Sequence, residues 1–557
     1  MPEFSSSIPL PHIPEDLTLE QFILRDTDDN RPLRPDSAPW LVSDETGRSL
    51  GLKEIRERTT GLANDLYTQF GIGEGDVVLI FSSNHIDYPI CLWAVHQLCA
   101  IVSPCNPSST VPELTHQLLQ TNSSLIIAHA SVLNVALASA GEVGIPRERV
   151  VVLEGDGDSP RGVVTVTQLT AQGLRLNLGL GRKLCPGEGR TKVAFFCASS
   201  GTTGKPKIVA ISHFAAIANV LQISTLNRVN EPYTSWEDRR YRPGDVCLAV
   251  LPFYHPLCDI QRDDRGCGPE VHLYWNASER CPTQNKSADA CSSSSRSLCK
   301  EPIVQNYDLS TVRAVMCAGA PLSEELNQQL IALLPHAHIG QAYGQTESTG
   351  VVSMWSTSTK HGFNGGELAP GVVTRVLKTD GTLAYYNESG EMLLKTPAAA
   401  LGYFGNVDAT KKTFVDGWLH TGDQVEINEK NEVIYIDHLK EIMKVRGFQV
   451  APAELEGCML GSELVADVCV VGIPDNFSGE VPLAFIVPTA TASTMIQKNP
   501  DEVKKLIMDY VAGLKSPYKH VRRIEFVNDI PKNPSGKLLR RILRKRAKQL
   551  IFSPAKL

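Results

Sequence analysis

The stretch Phe195–His213, FFCASSGTTGKPKIVAISH, sets a hydroxyl- and glycine-rich run between two apolar ones. Ser199, Ser200, Gly201, Thr202, Thr203, Gly204, Lys205, Pro206 and Lys207 bring hydroxyls, ammonium groups and unencumbered backbone amides into consecutive positions. The flanks, VAFFCA and IVAIS, carry the β-branched and aromatic residues of strands. The run therefore reads as a loop between two strands. Glycine lets backbone amides approach a ligand closely. Amides, hydroxyls and lysines together suit phosphate oxygens, although a solvated hairpin loop has much the same composition. It is not a Walker loop, because the G-x-x-x-x-G-K-[ST] order is absent and a strand, not a helix, follows it.

Working outward, residues 50–145 alternate helical and strand patterns: GLKEIRERTTGLANDLYTQF (helix), DVVLIFSS (strand), DYPICLWAVHQLCAIV (helix), PELTHQLLQTNSS (helix) and LIIAH (strand). This alternation predicts α/β units with parallel sheets. The texture returns in TVRAVMCAGAPLSEELNQQLIALLP. From about 372 to 436 the helical periodicity stops and short strands with turn residues take over, which predicts a small β region. Mixed α and β patterns then resume to the end. A boundary near 438 gives a large N-terminal domain, 1–438, and a smaller α+β domain, 439–557. The predicted fold class is α/β.

A chain of 557 residues exceeds one hydrophobic core. Hydrophobic and charged contents of 42% and 21% are those of a globular protein. A net charge of −7 argues against a nucleic-acid partner. No apolar run reaches the ~20 residues of a membrane span, and the N-terminal stretch lacks the pattern of a secretory signal. The 14 cysteines are accordingly expected as thiols. The final Ala555-Lys556-Leu557 resembles a peroxisomal import tripeptide. It implies an import receptor as partner and peroxisomal rather than cytoplasmic localisation.

Further motifs share the chemistry of the opening loop. In AYGQTEST (342–349), Tyr343 offers a face for a flat ring, Thr346 a hydroxyl for a phosphate oxygen, and Glu347 a carboxylate for Mg²⁺. GWLHTGD (417–423) ends in Asp423, which suits the two hydroxyls of a ribose. DHLKEIMKVRGFQVAPAELE (437–456) mixes cations with Gly447, and PKNPSGKLLRR (531–541) sets Lys537 behind a glycine turn. Singly, each also reads as a capped turn or a solvated charged helix.

Together, in this order and spacing, the five motifs resemble those of the adenylate-forming enzymes: acyl-CoA synthetases, 4-coumarate–CoA ligases, luciferases and peptide-synthetase adenylation domains. The likeness runs from about residue 20 to the end, leaving out 258–301. It implies two steps. A carboxylic acid substrate attacks ATP to give an acyl-adenylate and pyrophosphate, and coenzyme A then displaces AMP. By the same resemblance, Ser199–Gly204 and Lys207 hold the β- and γ-phosphates, Tyr343, Thr346 and Asp423 hold the nucleotide, and Glu347 and Thr346 hold Mg²⁺. Lys537 bridges the acid and the α-phosphate, and Lys444 and Gln449 contact the adenylate. Lys440 is the hinge about which the small domain swings, Gly447 lines the coenzyme A tunnel, and His255, Ala318 and Gly319 belong to the acyl pocket. A standalone carrier-loading adenylation enzyme and an inactive nucleotide-binding pseudoenzyme are the competing readings.

The chain departs from the pattern in three places. His438 stands where the family usually has arginine after the hinge-region aspartate. Ala342, and the order of AGAPL at 318–322, are smaller changes. Residues 258–301 lose apolar periodicity altogether and hold Cys258, Cys267, Cys281, Cys291 and Cys299 at spacings unlike a zinc site. The abrupt edges of this segment suggest a stretch translated in the wrong frame, or else a divergent insertion without regular structure.

Overall fold

The computed structural model describes residues 2–25, 39–43, 46–154, 162–176, 178–199, 206–229, 231–242, 247–248, 252–254, 271–273, 287–290, 298–299, 304, 306–318, 324–446, 448–475, 478–532 and 538–552. Two large sheets and one small sheet organise them.

The first sheet has seven strands, in the order Gly402–Tyr403, Lys207–Ser212, Val193–Ser199, Ile101–Cys105, Val77–Phe81, Leu125–His129 and Val150–Leu153. From Val193–Ser199 to Val150–Leu153 the pairing is parallel. Helices cover both faces, so these strands are buried along their whole length and read as apolar runs. Helix Leu52–Phe70 buries Leu52, Ile55, Leu62, Ala63, Leu66 and Phe70, a helical spacing. Gly71 ends it in the left-handed region at φ 67°. This helix crosses helix Val166–Gly173 at very close range: a Cβ on Gly173 would sit 1.8 Å from the carbonyl oxygen of Gly61.

The second sheet has 15 strands and is parallel at one end and antiparallel at the other. Its parallel part runs through Ala314–Cys317 and His338–Gln345. Its antiparallel part, Gly350–Ile427 and Glu432–His438, is the expected β region. A seven-residue helix, Val407–Thr413, interrupts that region, where the sequence reading expected none. Asn406 caps it by accepting from the Ala409 amide at 3.0 Å. The helix read over 87–102 also ends earlier, at Gln97, and Ile101–Cys105 is a strand. A continuous apolar run cannot tell a buried helix from a buried strand by periodicity.

Residues 258–301 need a correction as well. Val271–Leu273 and Ser287–Ala290 are strands, both parallel to Cys247–Leu248, and the second also pairs with Ala314–Cys317. Regular backbone is thus present where none was expected, because parallel pairing draws on the backbone groups of any residue type.

The small sheet comprises Met443–Val445, Phe448–Val450, Val465–Asp475, Gly479–Pro488 and Arg523–Phe526. Helices Pro452–Leu460 and Pro500–Leu514 contribute to the core on one face, and helix Arg540–Phe552 to the core on the other. It has its own cores, separate from those of residues 1–438. Among the described residues, no helix is long and apolar enough to cross a membrane.

Candidate active site

The opening stretch is a hairpin. Val193–Ser199 and Lys207–Ser212 are antiparallel, with Ser199 paired to Lys207 at its mouth. Ser200, Gly201, Thr202, Thr203 and Gly204 lie outside the described residues, but their anchor points do not. The Ser199 hydroxyl donates to Glu347 Oε1 at 3.0 Å. Lys207 places its ammonium 4.4 Å from the centre of the Tyr403 ring, and the Tyr403 hydroxyl donates to the same Glu347 oxygen at 2.9 Å. Burial, and then the Glu347 charge, raise the Tyr403 pKa, so the phenol keeps its proton and remains a donor.

Glu347 itself is 8% exposed, in the one-turn 3₁₀ segment Thr346–Ser348. That turn follows strand His338–Gln345, whose register shifts between Tyr343 and Gly344. Gly344 is required there: a Cβ would come 1.8 Å from the carbonyl oxygen of Gly350. The strand end is pinned from behind by Arg240, which is fully buried. It donates to the Trp355 carbonyl at 3.0 Å and lies 3.9 Å over that ring. Burial pulls its guanidinium down to about 10.

Four residues before Glu347, Tyr343 belongs to a second cluster. Its hydroxyl donates to Asp423 Oδ2 at 2.7 Å, and its ring lies 5.7 Å from that of Tyr435. Asp423 is 3% exposed, and its other oxygen meets His438 Nδ1. Asp423 and His438 are direct partners across strands Trp418–Ile427 and Glu432–His438. Burial, and then the Asp423 charge, hold the Tyr343 pKa well above its ordinary value.

The hinge-region turn is clasped by the C-terminal helix. Arg544 pairs with Glu441 at 2.5 Å and donates to the Lys440 carbonyl at 3.4 Å. Arg540 pairs with Glu456 at 2.8 Å. Burial works against the Arg540 charge, but Glu456 and its neighbouring carboxylates outweigh it and raise its pKa. Asp437 accepts from the Ala453 amide at 3.2 Å, across the expected domain boundary. Lys444 sits opposite Gln449 in the hairpin Met443–Val445/Phe448–Val450, with its amide donating to Glu480 at 2.9 Å.

Tyr343, Thr346, Glu347, Ser199 and Lys207 are therefore gathered along one strand end and one hairpin mouth, with Asp423 beside Tyr343. Lys440 and Lys444 stand apart on the hinge turn and the small sheet. Ala318 is buried at the end of Ala314–Cys317. Lys537, Gly447, His255, Gly319, Ala555, Lys556 and Leu557 lie outside the described residues. The ends of the Lys537 segment are held together, however, by a bridge between Lys532 and Leu538.

Two contributors escaped the sequence reading. Tyr403 comes from the short segment LGYF, whose aromatic beside a glycine was the available signal. Asn84, in the loop after Val77–Phe81, accepts from the Phe253 amide at 2.6 Å and so sets the chain two residues before His255. Nothing in its local sequence marks it.

Residues 30–259 and 279–404 match the family model of AMP-binding enzymes, and 454–537 match that of the AMP-binding enzyme C-terminal domain. Within the first of these the match breaks over 260–278, so the resemblance resumes earlier than 301. The acyl-CoA ligase AFT1-1 of Alternaria alternata is 32% identical, over 96% of this chain and 95% of its own. The 4-coumarate-CoA ligase 2 of Narcissus pseudonarcissus is 29% identical, over 99% and 95%. The crystal structure of the anthranilate CoA ligase AuaEII in complex with anthranoyl-AMP superposes with a TM-score of 0.82 at 20% identity, covering 97% of this chain and 99% of that one. That likeness is one of fold. Family models covering most of the sequence, and a relative this similar along its whole length, place the two clusters in a known frame: the chain belongs to the AMP-binding enzyme family, the adenylate-forming acid ligases.

Proposed function

We propose that this chain activates an aromatic or medium-chain fatty acid with ATP and transfers the acyl group to coenzyme A. In the first step a carboxylate oxygen bonds to the α-phosphorus as the bond to pyrophosphate breaks. In the second, the thiol sulfur bonds to the acyl carbon, AMP leaves with its electron pair, and the thiol proton passes to solvent. Two anions must meet in the first step, so positioning and cationic clamping supply most of the catalysis.

The observation that carries this reading is the spacing of the two clusters. Asp423 with Tyr343, and Glu347 with Ser199 and Lys207, are held four residues apart along one strand end and the turn that follows it. A nucleoside held at the first would direct its phosphates toward the second. The acid class is supported by relatives named acyl-CoA ligase and 4-coumarate–CoA ligase.

Magnesium fits the residues present. Among the described residues no cluster of three or more His, Cys, Asp or Glu could hold a metal alone. A single carboxylate, Glu347, beside the Thr346 hydroxyl suits an ion that keeps waters and takes phosphate oxygens. Bound there, it would neutralise phosphate charge, while Ser199 and Tyr403 fix the orientation of the Glu347 carboxylate.

A panel of carboxylic acids with ATP, Mg²⁺ and coenzyme A tests the reading. Pyrophosphate release with one class of acid, and thioester plus AMP only when coenzyme A is added, are expected. No pyrophosphate with any acid would leave a nucleotide-binding pseudoenzyme, and acyl-adenylate that coenzyme A does not discharge would point to carrier loading. Import into peroxisomes through Ala555–Leu557 belongs to the same proposal. Deleting those three residues should move a tagged protein from puncta to cytosol without loss of solubility, because a terminal tripeptide carries little core burial. Puncta that survive the deletion would refute the address.

A further inference from the structure

Thr349 is held at two costs. Its backbone sits at φ 62° and ψ 1°, in the left-handed region, where a β-branched residue is a genuine outlier. Its hydroxyl is buried and has no hydrogen-bond partner among the described residues. Strain of this kind persists only where the surroundings over-determine it, and it gathers at working sites. Thr349 lies two residues after Glu347, where the turn Thr346–Ser348 gives way to strand Gly350–Met354. Its amide closes that turn on the Thr346 carbonyl at 3.0 Å.

The exit of the turn is gripped by Asn219. Its side-chain amide takes both backbone groups of Val351: Nδ2 donates to the carbonyl at 2.8 Å, and Oδ1 accepts from the N–H at 3.1 Å. The neighbouring strand Gly366–Leu368 pairs with Ser353 and Met354, and at Val351 a side chain supplies the bonds instead. Asn219 is fixed in its turn. Nδ2 also donates to Gln222 Oε1 at 3.1 Å, and Gln222 donates to the Pro370 carbonyl at 2.8 Å. Both residues are fully buried. A polar network paired in this way specifies one geometry. Asn219 belongs to helix His213–Leu226, which follows strand Lys207–Ser212 without a break. It therefore ties the exit of the Glu347 turn to the piece of chain that carries Lys207. Ser199, on the other strand of the same hairpin, holds the Glu347 carboxylate itself.

We propose that Asn219 is a positioning residue for magnesium-bound ATP. By gripping Val351 it keeps Thr349 in its strained conformation, and so fixes the Glu347 turn against the hairpin before metal and phosphates arrive. Preorganisation of this kind leaves no rearrangement to be made on binding. The inference rests on the ATP-dependent ligase reading above and concerns how the metal-facing turn of that site is built.

Calorimetric titration with ATP, in Mg²⁺ and in EDTA and without acid substrate, decides it for wild type, Asn219→Ala, Thr349→Gly and Val220→Ala. Asn219→Ala should bind ATP about five- to tenfold more weakly in Mg²⁺ and like wild type in EDTA. Thr349→Gly should lose about threefold in Mg²⁺ alone, yet melt at or above the wild-type temperature, since glycine adopts the left-handed region freely and leaves no orphaned hydroxyl. Val220→Ala empties core beside Asn219 on the same helix. It should melt lower with unchanged affinity in both buffers, which separates positioning from mere packing. A loss for Asn219→Ala that is equal in Mg²⁺ and EDTA, or absent from both, overturns the proposal. So does a Mg²⁺-specific loss in Val220→Ala. If Asn219→Ala fails to fold, wild-type affinity of Thr349→Gly in Mg²⁺ overturns it, and a lower melt of Thr349→Gly refutes the stored strain. Wild type that binds no ATP in either buffer would instead overturn the ligase reading itself.

Discussion

Single atoms decide what the Glu347 carboxylate can do. One of its oxygens takes hydroxyl bonds from both Ser199 and Tyr403, at 3.0 and 2.9 Å. A bond to a charged acceptor contributes about 1.5–3 kcal/mol. Tyr403→Phe removes one such bond while keeping the ring under Lys207. We expect adenylate formation to need about three- to tenfold more Mg²⁺ for half-saturation, with little change in thermal stability. An unchanged Mg²⁺ dependence would remove Tyr403 from the site. If Lys537 bridges the acid and the α-phosphate, as the resemblance implies, Lys537→Ala should abolish pyrophosphate release far more than thioester formation from a supplied acyl-adenylate. Equal losses in the two half-reactions would refute that role. Of these residues, Ser199 and Glu347 stand in motifs that the sequence marks, and the structure joins their side chains, while Lys537 lies outside the described residues. Tyr403 was not so marked, because 56 residues separate it from the carboxylate it holds; the pairing of Gly402–Tyr403 with Ala210–Val209 and a bond from the Ala400 amide to the Glu347 carbonyl bring them together.

At the level of elements, strand Val193–Ser199 lies on a pair of buried imidazoles. His96 Nε2 lies 3.0 Å from the Ala194 carbonyl, so it carries the proton there. His213 Nδ1 accepts from the Leu19 amide at 3.1 Å, which puts the proton of that ring on Nε2. The rings are 5.0 Å apart. Burial lowers both pKa values, that of His96 to about 4 in spite of its bond to the Ala194 carbonyl, and the His96 ring further opposes protonation of His213. The folded state therefore keeps both neutral, whereas the unfolded chain protonates them below its ordinary histidine value near 6.5. Stability from this source is complete above that value and is lost as pH falls toward about 4. For His96 the loss is on the order of 3 kcal/mol. Denaturant melts at about pH 7.5 and about pH 5 should show it. His96→Met should flatten the dependence, and an unaltered slope in that variant would assign the acid lability elsewhere. Strand Val193–Ser199 and the start of helix Tyr88–Gln97 were readable from the residue pattern, whereas helix His213–Leu226 was not read. Nor was the pairing of the two histidines, because it depends on which helix faces which strand.

For the whole molecule, the question is how one small domain serves two reactions. The hinge-region turn is tied to the small domain through Arg544 and to the Asp437 strand through its backbone. Lys537 and Gly447 are ninety residues apart in sequence, and both lie outside the described residues. Gly447→Leu should spare pyrophosphate release and block thioester formation, because four added carbons would narrow a passage for the pantetheine arm while leaving the phosphates untouched. Acyl-adenylate should then accumulate and persist when coenzyme A is added. Equal loss of both half-reactions in a folded variant would rule out two working orientations for this chain.

What the sequence by itself determined was local: the two strands that flank the hydroxyl- and glycine-rich run, the motif that sets Tyr343 and Glu347 four residues apart, and the α/β alternation that buries apolar strands. These are properties of neighbouring residues, whose spacing along the chain is also their spacing in space. The tertiary structure alone decided which distant groups share an atom. Glu347 is held by residues 199 and 403, Asp423 by 343 and 438, and Phe253 by Asn84. It also turned residues 271–273 and 287–290 into strands, because a sheet recruits backbone hydrogen bonds that side-chain patterning does not report.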